Sequence, residues 1–80
     1  MKRYLVEAIK EENQTVVDSW DLFTYPTKEE AVEEAKTIAE GGSSINARLM
    51  NYTHMLVHEL TYDDVDEPIN SEEIASFEVK

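Results

Sequence analysis

The stretch from Thr27 to Gly42 constrains the fold more than any other part of this chain, because it reads as a helix with both ends marked. Thr27 followed three residues later by Glu30 forms a T-x-x-E capping box, in which hydroxyl and carboxylate each satisfy a backbone donor at a helix start. Ala31, Val32, Ala35, Ile38 and Ala39 then fall on one stripe of a 3.6-residue helix, and Gly41 and Gly42 stop it. The opposite face carries Glu29, Glu30, Glu33, Glu34 and Glu40, relieved only by Lys28 and Lys36, with acids in the first turn suiting the helix macrodipole.

The flanking segments read as strands. Arg3 to Ile9 is dense in strand formers, Lys10 to Gln14 is a polar turn, and Thr15 to Phe23 is a second strand whose imperfect alternation points to a bulge or early end near Asp18. After the helix, Ile45 to Tyr52 and Met55 to Tyr62 read as a further pair, with Thr53 and His54 at the bend between them. Asp63 to Ser71, which contains Pro68, reads as an exposed acidic loop, and Glu73 to Val79 as a closing strand with Ala75, Phe77 and Val79 inward. The expectation is a single α+β domain over residues 1–80, with a small, mostly antiparallel ββαββ sheet, a possible fifth strand and one helix on one face. The other face, assigned Tyr4, Val6, Met50 and Tyr52, would expose an apolar patch, from which a homodimer is expected.

Charge sets what such a domain can meet. The chain has 18 acidic residues against 7 basic ones, a formal charge of -11. From Leu49 to Val79 there is no lysine or arginine, while Glu59, Asp63, Asp64, Asp66, Glu67, Glu72, Glu73 and Glu78 accumulate. Such a surface repels nucleic acid and anionic lipid and attracts cationic partners. With 41% apolar residues, four tyrosines, two phenylalanines and one tryptophan, the chain has enough hydrophobic material to fold. No cysteine is present, which removes disulfides and thiolate chemistry and is compatible with a cytoplasmic location. Glu7 interrupts the apolar N-terminal run, so no signal peptide is read there, and no apolar stretch approaches a membrane span.

Candidate chemistry is sparse. In H-M-L-V-H-E, His54 and His58 precede Glu59 instead of enclosing it, so the order of a zincin motif fails. On a strand the two imidazoles share a face about 13 Å apart, too far for one metal. Asp63 to Glu67 offers hard oxygen ligands but lacks the spacing and distal glutamate of a calcium loop. The serines at 19, 43, 44, 71 and 76 lie in no nucleophile elbow. Gly41-Gly42-Ser43-Ser44 follows a helix, where it ends structure instead of cradling phosphate. Trp20, Phe23 and Tyr25 read as core and sheet-edge residues before a ligand-stacking surface. No cofactor, metal or catalytic residue is assigned.

The resulting expectation is a non-enzymatic protein-binding or accessory module whose partner has a basic surface, with no direct nucleic-acid or membrane contact. Its candidate contact residues are Glu29, Glu30, Glu33 and Glu34 on the helix and Asp63, Asp64, Asp66 and Glu67 in the loop. The alternative starts from the pairs Glu29/Glu33 and Glu30/Glu34, spaced about 5 to 6 Å apart like neighbouring phosphates. In these pairs, its short length and its α+β build, the chain resembles anti-CRISPR and anti-restriction proteins in general character. That resemblance implies a nucleic-acid mimic that inhibits a basic nucleic-acid-handling protein.

Overall fold

The computed structural model describes residues 1–42, 50–65 and 67–80. Within them the order is β1 (Lys2–Glu12), β2 (Thr15–Tyr25), α1 (Lys28–Glu40), β3 (His54–Tyr62) and β4 (Pro68–Glu78). The strands form one antiparallel sheet in the order β2-β1-β3-β4, with the helix on one side, a two-layer α+β fold. β1 and β2 are joined by Asn13 and Gln14 alone, at φ 53° and 66°, the paired positive angles of a type I′ hairpin turn. The turn is therefore shorter than the Lys10 to Gln14 stretch expected from composition, because two left-handed residues suffice and Glu11 and Glu12 stay in the ladder.

The ββαββ order is realised by different segments from those expected. The anticipated strand Ile45 to Tyr52 falls largely outside the described residues, and its visible end is a turn, with Asn51 at φ 64°. His54 opens β3 instead of lying in a bend. The acidic loop is also shorter than Asp63 to Ser71, because pairing with β3 resumes at Pro68 opposite Tyr62. Proline is tolerated there as the first residue of an edge strand.

Both helix ends follow from the local sequence. Thr27, in an extended conformation, accepts the Glu30 N–H on its side-chain oxygen at 3.3 Å. At the other end Gly41 adopts φ 82°, its N–H bonds the Ile38 carbonyl at 3.1 Å, and the Gly42 N–H bonds the Thr37 carbonyl at 2.9 Å, the two bonds of a Schellman cap.

Ala31, Ala35, Ile38 and Ala39 bury against Val6, Ala8, Met55 and Val57 of the central strands. The alanines keep this face of α1 low, letting Ile38 fill the core fully buried. This arrangement reverses the side assigned to several residues from sequence. Tyr52 and Val6 are buried in the core beneath α1 and Tyr4 packs against it, whereas Met50 is exposed in the turn before β3. The face away from α1 instead carries Leu5, Glu7 and Ile9 of β1 beside His58, Leu56 and His54 of β3. Paired residues share a side, so aliphatic and polar side chains alternate there like a checkerboard. Ile9 and Leu56 are only 5% and 9% exposed, and the patch of Tyr4, Val6, Met50 and Tyr52 invoked for dimerisation does not exist on this side.

Both edge strands are bulged twice. Pairing jumps over Val17 and Leu22 in β2 and over Ile69 and Ile74 in β4. The Val17 bulge adjoins Asp18, where the broken alternation had pointed. Bulges bend an edge and interrupt its ladder, which discourages strand addition by another chain.

Candidate functional site

The four helix carboxylates divide into two rows. With about 100° between successive residues, and Ala31, Ala35 and Ile38 facing the sheet, Glu29 and Glu33 occupy the outward ridge while Glu30 and Glu34 lie on one flank. Glu29, Glu30 and Glu33 are exposed and Glu34 is half-buried. Lys28 and Lys36 border the same shallow depression as Glu29, Val32 and Glu33, so the outward ridge has mixed charge. The Glu30/Glu34 flank faces β2: burial, then Glu34, then Glu30 push the Tyr25 hydroxyl above its ordinary pKa.

The loop between β3 and β4 is built around Asp63. Its carboxylate accepts the N–H groups of Val65 at 3.0 Å and Glu67 at 2.9 Å, and its own N–H donates to the Glu67 carbonyl at 3.0 Å. Asp63 is thereby a loop-shaping residue, whereas Asp64 and Glu67 are exposed. Asp66 lies outside the described residues. The loop leaves β3 where the Tyr62 N–H bonds the Met1 carbonyl at 2.8 Å. The helix starts at the same end, just after Tyr25, which pairs with Tyr4. The two acidic groups therefore share one end of the molecule, with β1 and β3 between the helix start on the β2 side and the loop on the β4 side.

Other singled-out residues are engaged elsewhere. His58 Nε2 lies 2.9 Å from Glu7 Oε1, with both side chains 19% exposed, and His54 Nδ1 lies 3.0 Å from Thr53 Oγ1. The three aromatics separate: Trp20 packs on Tyr52 at 4.9 Å between ring centroids, while Phe23 and Tyr25 form a tilted pair at 6.3 Å, with Phe23 44% exposed. The sequence carries a signal for that pair only in its i, i+2 spacing, which places two strand residues on one side.

At the far end of the sheet an open concavity of about 520 Å³ has Lys10, His54 and Lys80 interspersed with Glu11, Glu12 and Glu78 on its wall. None of the residues proposed from sequence borders it, and its opposite charges offset one another. Comparison with known proteins yields no matching family model, no matching curated relative and no matching solved structure.

Proposed function

We propose that this chain is a small non-enzymatic protein-binding module that engages a cationic surface of another protein through the helix-start end of the molecule. The observation that carries this reading is the state of its carboxylates. Among the described residues, the ion pairs join Lys2 to Glu59 and Lys10 to Glu12, and Glu7 is taken up by its hydrogen bond with His58. None of them neutralises Glu29, Glu30, Glu33, Glu34, Asp63, Asp64 or Glu67. Carboxylates held on a helix and in a loop, with no ion pair of their own among the described residues, favour a partner that brings its own cations and steer its approach.

A partner that ordinarily handles nucleic acid is a second reading, supported by the two i, i+4 rows Glu29–Glu33 and Glu30–Glu34, with about 5 to 6 Å between neighbours. Because the rows point in different directions, such a partner would straddle the helix instead of following a single line of charge.

The test is capture of partners from a lysate of the source cells at low and high salt, followed by affinity measurement with the purified protein recovered. Salt-sensitive binding that collapses when Glu29, Glu30, Glu33 and Glu34 are all changed to Lys is the expected result. Unchanged affinity in that variant removes the helix from the interface.

A further inference from the structure

We infer that the shelf made by Phe23 and Tyr25 on β2, bounded by Glu30 and Glu34 of α1, is the anchor for an arginine side chain of the protein partner; this rests on the acidic-module reading and gives it a specific contact. The helix lies over β1 and β3 and touches β2 least, so the helix-side aromatics of β2 remain partly open. Trp20 and Leu22 are half-buried against the core, but Phe23 stays 44% exposed. Its ring sits 6.3 Å from that of Tyr25 at an interplanar angle of 56°, so the two do not cover each other by parallel stacking. Tyr25 is also the residue close enough to Glu34 and Glu30 for both carboxylates to raise its hydroxyl.

An exposed aromatic face beside two carboxylates is the environment a guanidinium selects. Its flat, weakly hydrated cation stacks on a ring while its N–H fork donates to carboxylate oxygens. The cations of α1 do not occupy the place: Lys28 and Lys36 border the depression with Glu29 and Glu33, and neither forms an ion pair with Glu30 or Glu34. A purely apolar partner would cover Phe23 but bring nothing to the two carboxylates. An ammonium would meet the charge but stack less well, because it is compact and strongly hydrated. Another copy of this chain, at -11, is a poor occupant of an anionic shelf.

Blocked tetra-arginine and tetra-lysine peptides, titrated into the isotopically labelled full chain at low ionic strength and followed by NMR, test the assignment. Tetra-arginine is expected to shift the ring signals of Phe23 and Tyr25 and the amides around Glu30 and Glu34, and to bind more tightly than tetra-lysine. Phe23→Leu keeps an apolar side chain at an exposed position but removes the ring, and is expected to weaken tetra-arginine about fivefold while changing tetra-lysine less. The double change Glu30→Gln and Glu34→Gln is expected to weaken both peptides more than Glu29→Gln with Glu33→Gln does. Circular dichroism of each variant confirms that the fold persists. Tetra-arginine binding that is unaffected by Phe23→Leu, or shifts centred on Glu29 and Glu33 or on the Asp63 loop, overturns the anchor and leaves the acidic-module reading standing. Absence of binding by either peptide removes both.

Discussion

At the level of single residues, the clearest division of labour is between the two glycines after α1. Gly41 holds φ 82°, where a side chain is strained even though an added Cβ meets nothing within 4 Å. At Gly42 a Cβ would lie 3.3 Å from Thr37 Cγ2, a close contact that a small shift of that methyl relieves. Gly41→Ala should therefore cost about 1 kcal/mol in urea unfolding and Gly42→Ala less, with Gly41→Asn intermediate because asparagine tolerates the left-handed region. Equal losses at 41 and 42 would contradict a conformational origin. Tyr25 gives the second residue-level prediction. Burial and then Glu34 and Glu30 favour its neutral phenol, so its folded pKa lies above the unfolded value of about 10. The folded state then holds the proton more tightly; this contribution to stability is present below about pH 10 and is lost as pH rises through the folded value. Lys2, raised by its hydrogen bond and charge interaction with Glu59, changes stability with the same sign, so bulk unfolding does not separate the two. Carbon NMR of labelled tyrosine does: Tyr25 should ionise at higher pH than in the Glu34→Gln variant.

Among the elements, α1 has the strongest local encoding and the smallest side chains on its buried face. Three of its four buried residues are alanines, so Ile38 supplies most of the apolar volume that the helix delivers to Val6, Met55 and Val57. Ile38→Ala should cost about 3 kcal/mol, a large share of the stability of so small a domain, read as a lower urea midpoint. A loss below about 1 kcal/mol would mean that the helix is held chiefly by its caps. The strands show how far local pattern carries. β1 and β3 were legible as apolar runs, but the start of β4 was not, because Pro68, Asn70 and Ser71 are turn-prone by composition. They enter the sheet because Asp63 closes the preceding loop and positions the chain opposite Tyr62. The candidate site was legible in the same uneven way: the helix spacing showed the Glu29/Glu33 and Glu30/Glu34 pairs, but not that the second pair faces Tyr25.

Over the whole molecule, flatness and charge matter most. The chain extends 39 × 26 × 16 Å with a radius of gyration of 12.8 Å, somewhat above the value of about 11.6 Å for a compact domain of this length. One helix covers one side of the sheet, and on the other side aliphatic and polar residues of β1 and β3 alternate. Among the described residues the ion pairs are few against a formal charge of -11, so repulsion between carboxylates outweighs the attraction that salt would screen. Raising sodium chloride from low to moderate concentration should therefore raise the urea midpoint at neutral pH. A midpoint that falls with salt would show that the few pairs matter more than the net charge. No described helix is long and apolar enough to cross a membrane.

Helix ends, the stripe of α1, the strand character of its neighbours and the sign of the electrostatic field all depend on residues close together in the chain or on simple addition of charges, and so could be read without coordinates. Which face each strand buries could not. Tyr4-Val6-Ala8 and Leu5-Ile9 are both plausible apolar rows, and only the arrival of α1 decides between them. Trp20 likewise shares the helix side with Phe23 and Tyr25, opposite Ala8, Val6 and Tyr4, only because pairing with β1 skips a residue at Leu22. A bulge shifts side-chain parity for everything beyond it, and it is set by the partner strand, not by the neighbours in sequence.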